Sequence, residues 1–589
     1  MKASTPIRQH KTSSPPESAR PRELLSPLVA WIVAAALAAA VLAIYSPSLN
    51  FQFILDDHRF VADPRVQGSG HLWEYFTTYV WSQVAGGPSS FYRPVFVLWL
   101  RLNFILSEAS PWGWHLLSIL KHLSAAILLG LLVWKLLRDR VAALLASTLF
   151  ALHPAQTESV AWITVPDPLM SAAVLGTLLL YLTYAERLSS GGRMSQGRAG
   201  KKSRKQQPNQ PAGSSSAAWI VASAAACLAA LMAKETAIVL PLVLFVLALA
   251  TPCGETAQKP PSKENDRTLG TCLVSPFRQT LPFLAVTVVY LLLRLNALKS
   301  QFSARTQQLP WHTVLLSWPA ILWFYVKVLF WPVRPRAFAD PILAESFSVS
   351  GVLLPALGVV CALAALVATC LWMWSKARRE LPVQEARAIQ RAVVLGLLIV
   401  ILPILLALNL NALNPGDFLH GRYTYLPLAG LMLLLATAWH LAAPHLATKW
   451  RIALLVSAAL LAVAFSVFTL QQEAMWKDDL TVFTVAHQFA PDNAPVALNL
   501  ANANVQVALA LDEAGRCGEA IPIFDQAIQQ YPQDWFAWAG RGECFFKLSN
   551  LLEAEQSLRR ASELSHEPRV TEQWQQVRAM MGLPPTPPK

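Results

Sequence analysis

The sequence predicts an all-α protein that crosses a membrane about eleven times and ends in a small helical repeat domain. Three observations predict it. Charged residues make up only 14% of the 589-residue chain against 54% hydrophobic, with a mean hydropathy of +0.39, whereas a soluble domain carries roughly a quarter charged residues. Apolar runs approaching the ~20 residues needed to span a bilayer recur from residue 25 to residue 470. After Gln471 the composition becomes that of a soluble protein and a 34-residue period sets in.

Residues 1–24 are polar and Pro-rich and read as a disordered tail. The run from Leu25 to Tyr45 is longer than a signal-peptide core and lacks an A-x-A-like site, so it reads as a retained helix. Further apolar runs fall near 114–137, 141–157, 167–185, 217–233, 236–250, 280–298, 350–374, 393–411, 424–443 and 452–470. The net charge of +13 is distributed in a way that orients them. Lys2, Arg8, Lys11, Arg20 and Arg22 keep the N-terminal tail cytoplasmic by the positive-inside rule. Successive crossings then return the chain to the cytoplasm at the basic loops 186–216 and 375–392, the latter with Lys376, Arg378, Arg379, Arg387 and Arg391. Charge that tracks loops argues for membrane orientation and against nucleic-acid binding, and the chain carries no nucleic-acid motif. The odd number of crossings places the C-terminus outside.

Two long loops, 46–113 and 299–349, lie on the outer side and form the natural walls of an external site. Tyr92 to Leu106 mixes Arg93, Arg101 and Asn103 with aromatic and aliphatic residues, and 311–332 is rich in Trp and Phe around Lys327, as expected of helices at headgroup depth. If 311–332 instead crossed the membrane, every later segment would invert; the basic loop at 375–392 opposes that.

In residues 471–582, Ala520, Phe524, Ala527 and Pro532 recur 34 positions later as Ala554, Leu558, Ala561 and His566, with an earlier echo in Phe483, Ala486 and Pro491. Period and spacing match tetratricopeptide units, whose stacked helix pairs present a face for a protein segment. Residues 583–589 form a Pro-rich tail. Seven Cys with no CxxC pair and no Cys/His cluster at ligand spacing argue against a structural zinc site and a disulfide scaffold. Cys517 and Cys544 fall on neighbouring repeat helices and are candidates for a bridge in an oxidising compartment.

The polar residues that this topology gathers on the outer side carry the chemistry. Asp56, Asp57, His58 and Arg59 follow the first apolar run directly, and acidic groups at such a boundary must be solvated, paired or used. Arg93 follows Tyr92; His115, His153, Glu158 and Asp167 lie near the outer ends of the next runs; Lys234 and Glu235 sit between two runs. Arg422, in the segment Asp417 to Pro427 and flanked by Tyr423 and Tyr425, precedes an apolar run and reaches headgroup depth, where a guanidinium fork suits a lipid phosphate. For His58 and His115, local hydrogen bonding is the favoured role.

The ordered motifs FILDDH (53–58), FYRP (91–94), WHLLSILKHL (114–123), FALHPAQTESVAWI (150–163), KETAIVLP (234–241), GRYTYLP (421–427) and MWKDDLTVF (475–483) resemble the membrane O-mannosyltransferases with C-terminal tetratricopeptide repeats. These belong to the GT-C class of multispanning transferases that use polyprenyl-phosphate-linked sugars. The likeness runs from Phe51 to Leu480 and continues into the repeats. Two features differ: where the family shows Gly-Arg-Ala-Asp this chain reads Thr164-Val165-Pro166-Asp167, and its repeat array is short.

The resemblance implies a GT-C-like transmembrane domain over 25–470 and single-displacement, inverting transfer of a sugar, mannose by analogy, from a polyprenyl-phosphate donor to a hydroxyl of a protein acceptor held by the repeats. Asp56 and Asp57 are then the catalytic pair, one as base and the other orienting it or holding a cation. Arg422 and Arg93 bind the donor phosphate, with His58, His115, His153, Glu158 and Glu235 as supporting residues. No cofactor is required, and a divalent metal ion is left open. The membrane is a bacterial inner membrane with a periplasmic C-terminus or the endoplasmic reticulum with a lumenal one. Rival readings are a transferase acting on lipid or glycan, a non-catalytic repeat scaffold, and a transporter; the last should show duplicated halves, which this sequence lacks.

Overall fold

A computed structural model describes residues 25–84, 91–197, 214–250, 269–298, 309–332, 343–412, 419–565 and 567–584. The tail 1–24, the basic stretch 198–213, His566 and residues 585–589 lie outside the described residues. Among those described, the chain is helical throughout, with no strand.

The membrane part comprises α1 (Pro27–Ile44), the short helices α2 (Asp56–Val61), α3 (Pro64–Gln67) and α4 (Glu74–Thr77), then α5 (Pro94–Ser107), α6 (Pro111–Leu137), α7 (Arg140–Leu152), α8 (Thr157–Ala161), α9 (Asp167–Gly197), α10 (Ser214–Ala233), α11 (Leu240–Leu249), α12 (Leu269–Ala297), α13 (Trp311–Phe330), α14 (Leu354–Glu380), α15 (Val383–Ala407), α16 (Tyr425–Ala442) and α17 (Thr448–Glu473). Among the described residues ten helices are long and apolar enough to cross a membrane, including Trp311–Phe330 and Ala494–Glu513. The eleven crossings expected from hydropathy correspond to the other eight together with three of the four shorter apolar helices, Arg140–Leu152, Ala217–Ala233 and Glu235–Leu249.

Ion pairs and hydrogen bonds sort the helix ends into two groups. At one end, Lys135 pairs with Glu186 at 2.8 Å, His440 with Asp139 at 3.0 Å, His445 with Glu380 at 3.1 Å, and Arg140 donates to the Leu25 carbonyl at 2.9 Å. The basic turns meet here, as alternating crossings require. Asp56, His153, Lys234 and Arg422 gather at the opposite, site end.

Helix α13 has the composition of a span but not its placement. Its leading Leu309 N–H donates to Asn411 Oδ1 at 2.9 Å, and Trp318 donates to the Leu408 carbonyl at 3.1 Å, both just past α15. At its other end His153 meets the Leu329 carbonyl at 3.2 Å and Gln472 donates to the Pro332 carbonyl at 2.6 Å. All four partners belong to the site end, so α13 runs across the site end of the bundle instead of along its length.

Between spans, apolar surface gains little by leaving lipid, so close packing and interhelical hydrogen bonds hold the bundle. A Cβ on Gly430 of α16 would stand 2.7 Å from the Gly396 carbonyl of α15, which explains why small residues occupy that crossing. His122 joins three helices, with Nδ1 2.7 Å from Tyr425 Oη and Nε2 3.0 Å from the Ala151 carbonyl. Helices α1, α14 and α17 leave most of their apolar residues exposed, in keeping with a peripheral, lipid-facing position.

The loop 46–113 packs Phe60, Val66, Tyr75, Val80, Phe96 and Leu100 into one core with Trp114 of α6. At its centre Arg65, 1% exposed, donates to Asp63 at 2.6 Å and to Thr78 Oγ1 at 2.9 Å, while Tyr75 donates to the Arg65 carbonyl. A buried pair with its remaining donors satisfied fixes a rigid wall rather than a floppy loop.

Beyond α17 the chain forms antiparallel pairs α18 (Asp479–Phe489), α19 (Ala494–Glu513), α20 (Cys517–Gln530), α21 (Trp535–Lys547), α22 (Leu551–Ser565) and α23 (Pro568–Met580). Asp478, Asn493 and Asp534 cap three of them, accepting from N–H groups in the first turn. The repeating positions Ala520, Phe524, Ala527, Ala554, Leu558 and Ala561 are all buried, and a Cβ on Gly542 would meet Leu558 at 2.8 Å. Cys517 and Cys544 are free thiols that donate to Asp512 Oδ1 at 2.9 and 3.2 Å instead of bridging.

Candidate active site

The loop after α1 reaches the site through a tight turn. The Asp57 N–H donates to the Ile54 carbonyl at 2.9 Å, closing a turn whose first inner residue, Leu55, has φ 51° and ψ −121°. These are the angles of the first inner position of a type II′ turn, which Gly normally fills; a leucine there is strained by ~1–3 kcal/mol and persists only when its surroundings over-determine it. Here they do. Asp479, at the start of α18, accepts the Leu55 N–H through Oδ1 at 2.8 Å and pairs through Oδ2 with His58 Nε2 at 2.8 Å. The Gln52 N–H donates to the Lys477 carbonyl at 2.9 Å, and Ile54 packs with Ala161, Trp162, Val165, Trp476 and Val482 in one buried cluster.

The turn sends the two adjacent carboxylates in different directions. Asp57 is fully buried; its Oδ1 accepts the Thr164 N–H at 3.1 Å and its Oδ2 the Ile54 N–H at 3.2 Å. Burial pushes its carboxyl up to about 7 against those hydrogen bonds, with the charge of Asp56 only a minor contribution. Asp56 lines a cavity of about 860 Å3 together with Arg59, Arg93, Lys234, Glu235, Arg294 and Arg422.

The cavity is enclosed by α2, the start of α9, the turn between α10 and α11, the end of α15 and the segment before α16. Arg93 Nε donates to Glu235 Oε2 at 3.0 Å. Lys234 Nζ lies 2.6 Å from both oxygens of Asp167, with both side chains buried, and 4.9 Å from the Tyr423 ring centroid. Arg422 stacks its guanidinium over Trp162 at 4.6 Å, a contact suited to its planar fork. Glu158 sets the backbone there: Oε2 accepts the Arg422 N–H at 3.1 Å and Oε1 faces His420 Nδ1 at 3.0 Å. Burial acts to raise Glu158, but His420 and Arg422 outweigh it and hold the carboxyl below its usual range.

Of the residues singled out in the sequence, Asp56, Arg59, Arg93, Asp167, Lys234, Glu235 and Arg422 share the cavity. Asp57 and Glu158 stand behind it and hold backbone. His58 stands on Asp479, whose hydrogen bond raises the imidazole above its usual range. His153 is buried and accepts the Ala155 N–H at 3.2 Å, and His115 is buried at the edge of the Phe51 ring; neither lines the cavity. Sequence reasoning assigned no role to Arg294, which projects from a span otherwise read as apolar, or to Asp479. The order of MWKDDLTVF after the last span was a signal for the latter. Among the described residues, Asp512, Cys517 and Cys544 alone bring three metal-ligating side chains together; they lie in the repeats, and the Lys547 ammonium sits 2.8 Å from that carboxylate.

No family model matches the chain. It is 26% identical over 527 residues to the human protein O-mannosyl-transferase TMTC1, covering 85% of this chain and 55% of that one. It is 31% identical over 223 residues to Tmtc1 of Drosophila melanogaster, covering 37% of this chain and 23% of the relative. The chain therefore spans less than two thirds of either relative. Among solved structures, the Archaeoglobus fulgidus oligosaccharyltransferase aligns at TM-score 0.42 and 12% identity, covering 76% of this chain and 55% of that one. ArnT from Cupriavidus metallidurans in the apo state aligns at 0.40 and 16%, covering 90% and 78%. Over most of its length this chain is a sequence relative of the TMTC protein O-mannosyl-transferases, the family its ordered motifs resemble.

Proposed function

We propose that the protein is an integral membrane glycosyltransferase moving a sugar, mannose by the names of its relatives, from a polyprenyl-phosphate donor to a hydroxyl of a protein acceptor. One observation carries this reading: Asp56 and Arg422 line the same cavity at the site end of the membrane bundle. The acceptor oxygen attacks the anomeric carbon as the bond to the phosphate oxygen breaks. Asp56 takes the acceptor proton, and the departing polyprenyl phosphate keeps the bonding pair, stabilised by Arg422 and Arg93.

Two further features support the reading. Ile238 and Leu406 line the cavity yet are 38% and 44% exposed, which gives an apolar side door for a prenyl chain. On the opposite wall Asn499, Asn502 and Gln506 of α19 face the same cavity, presenting amides to the backbone of an extended acceptor. Residues 471–582 act in this reading as tetratricopeptide repeats that deliver the acceptor. The site end faces away from the basic loops, into the periplasm of a bacterial inner membrane or the lumen of the endoplasmic reticulum.

The test is transfer from a polyprenyl-phosphate-mannose donor to acceptor proteins by purified protein, read by mass spectrometry. Mannosylated product that disappears with Asp56→Asn supports the assignment. A wild-type rate from Asp56→Asn refutes Asp56 as the base, whereas no transfer by the wild-type protein refutes the transferase reading and favours a scaffold.

A further inference from the structure

Asp479, which itself lines the cavity, reaches both sides of the Leu55–Asp56 turn, and it belongs to the first helix after the membrane bundle. The turn puts a leucine where a type II′ turn favours Gly, so its conformation relies on outside anchors. The bonds from Asp57 hold Ile54 and close the turn from within, but they do not hold the Leu55 N–H. That donor goes to Asp479 Oδ1 at 2.8 Å. The second oxygen is steadied by His58, one turn further along the same loop, so the carboxylate is fixed from both ends. Asp479 is itself placed by the Asp478 cap and by Trp476, which is 2% exposed and stacks on Trp162 at 6.0 Å.

We propose that Asp479 is the positioning residue for Asp56: by anchoring the strained Leu55 amide it holds the Asp56 carboxylate toward the cavity, and it makes the first repeat helix a structural part of the transfer site. This rests on the transferase reading above. It goes beyond that reading in giving the repeats a second task, separate from holding an acceptor. A shift of the first repeat helix then moves the base, so the two halves of the chain are coupled through one carboxylate.

The test compares Asp479→Ala, Asp479→Asn, Leu55→Gly and the double variant Asp479→Ala with Leu55→Gly, in full-length protein in detergent. Asparagine keeps an oxygen for the Leu55 N–H, alanine does not, and glycine adopts the turn without strain. Misplacing a reacting group by about 1 Å costs on the order of 10²-fold. Asp479→Ala should therefore lower kcat by about 10- to 100-fold with the KM for polyprenyl-phosphate-mannose held within about twofold, while Asp479→Asn stays near wild type. Adding Leu55→Gly should restore at least about threefold of the loss, a recovery that a merely structural role for Asp479 would not produce. Hydrogen exchange over residues 52–60, which needs no activity, should quicken in Asp479→Ala while α20 to α22 stay unchanged. A wild-type kcat in Asp479→Ala, an equal loss in Asp479→Asn, or unchanged exchange over 52–60 overturns the proposal. If Asp479→Ala does not accumulate, Asp479→Ser, one carbon shorter than the native reach, takes its place in every comparison. If wild-type protein transfers no sugar, the transferase reading fails, and the exchange measurement still decides whether Asp479 anchors the turn.

Discussion

Asp167 receives the Lys234 ammonium on both carboxylate oxygens at 2.6 Å, and each side chain is less than a tenth exposed. The pair joins the start of α9 to the turn after α10, two segments separated by 67 residues. Asp167→Ala strands a buried cation, which typically costs ~3–5 kcal/mol. We expect a large drop in thermal midpoint in detergent, with most of it recovered when Lys234→Met is added. A double variant as unstable as the single one would show that the pair does not act as a unit.

Asp56 and Asp57 should separate in kinetics although they are neighbours in sequence. Asp56→Asn should lower kcat about 10²–10⁴-fold, the usual effect of losing a general base, with an unchanged melting profile. Asp57→Asn should retain far more turnover, because Asp57 touches backbone amides and not the cavity. Arg422→Ala should raise the donor KM more than it lowers kcat. Steady-state assays at varied donor concentration check all three.

Asp57 also predicts a pH dependence. Its folded value near 7 stands above the ordinary 3.8. Between those values the folded chain holds a proton that the unfolded chain has released, so this stabilisation is complete below the unfolded value and is lost as pH rises toward the folded one. Melting of wild type relative to Asp57→Asn, followed from pH 5 to pH 8, should therefore move against the wild type. A constant difference would contradict the burial-driven shift.

Glu158 holds the backbone N–H of Arg422 across 264 residues of sequence. Glu158→Gln keeps the shape but loses a charged acceptor, worth about 1.5–3 kcal/mol for a hydrogen bond of this kind. We expect the donor KM to rise about tenfold, with a smaller change in kcat. Binding of a polyprenyl phosphate measured by calorimetry gives the same comparison without turnover.

Topology is checked by reporter fusions. Fusions after Ser190 and after Gly582 should report opposite sides, and fusions at Gln301 and Ala337, flanking α13, should report the same side as Gly582. Opposite signals at Gln301 and Ala337 would make α13 a true span.

Much of this architecture was legible because hydropathy, loop charge and a 34-residue period are properties of local sequence. All eleven apolar runs became helices, and the repeating small and large positions of the array are buried. The site was legible only as a set of residue types. Which of two adjacent aspartates faces the cavity depends on a turn that carries no glycine to announce it, since Leu55 is held in place by a residue 424 positions away. Glu158 gave no sign of holding Arg422 for the same reason: the partner lies 264 positions along the chain. For α13 it was the Trp and Phe content around Lys327 and the basic loop at 375–392 that pointed to headgroup depth, because hydropathy alone does not separate a helix lying along a boundary from one crossing it.

That placement has a consequence for biogenesis. A 20-residue apolar helix with one lysine meets the usual requirement for insertion across a bilayer as it emerges from the ribosome. The contacts that keep it flat come from Asn411 and Gln472, up to 140 residues later in synthesis. Correct seating of α13 is therefore a post-insertion event, and the enclosed site cannot be completed until the last span has arrived.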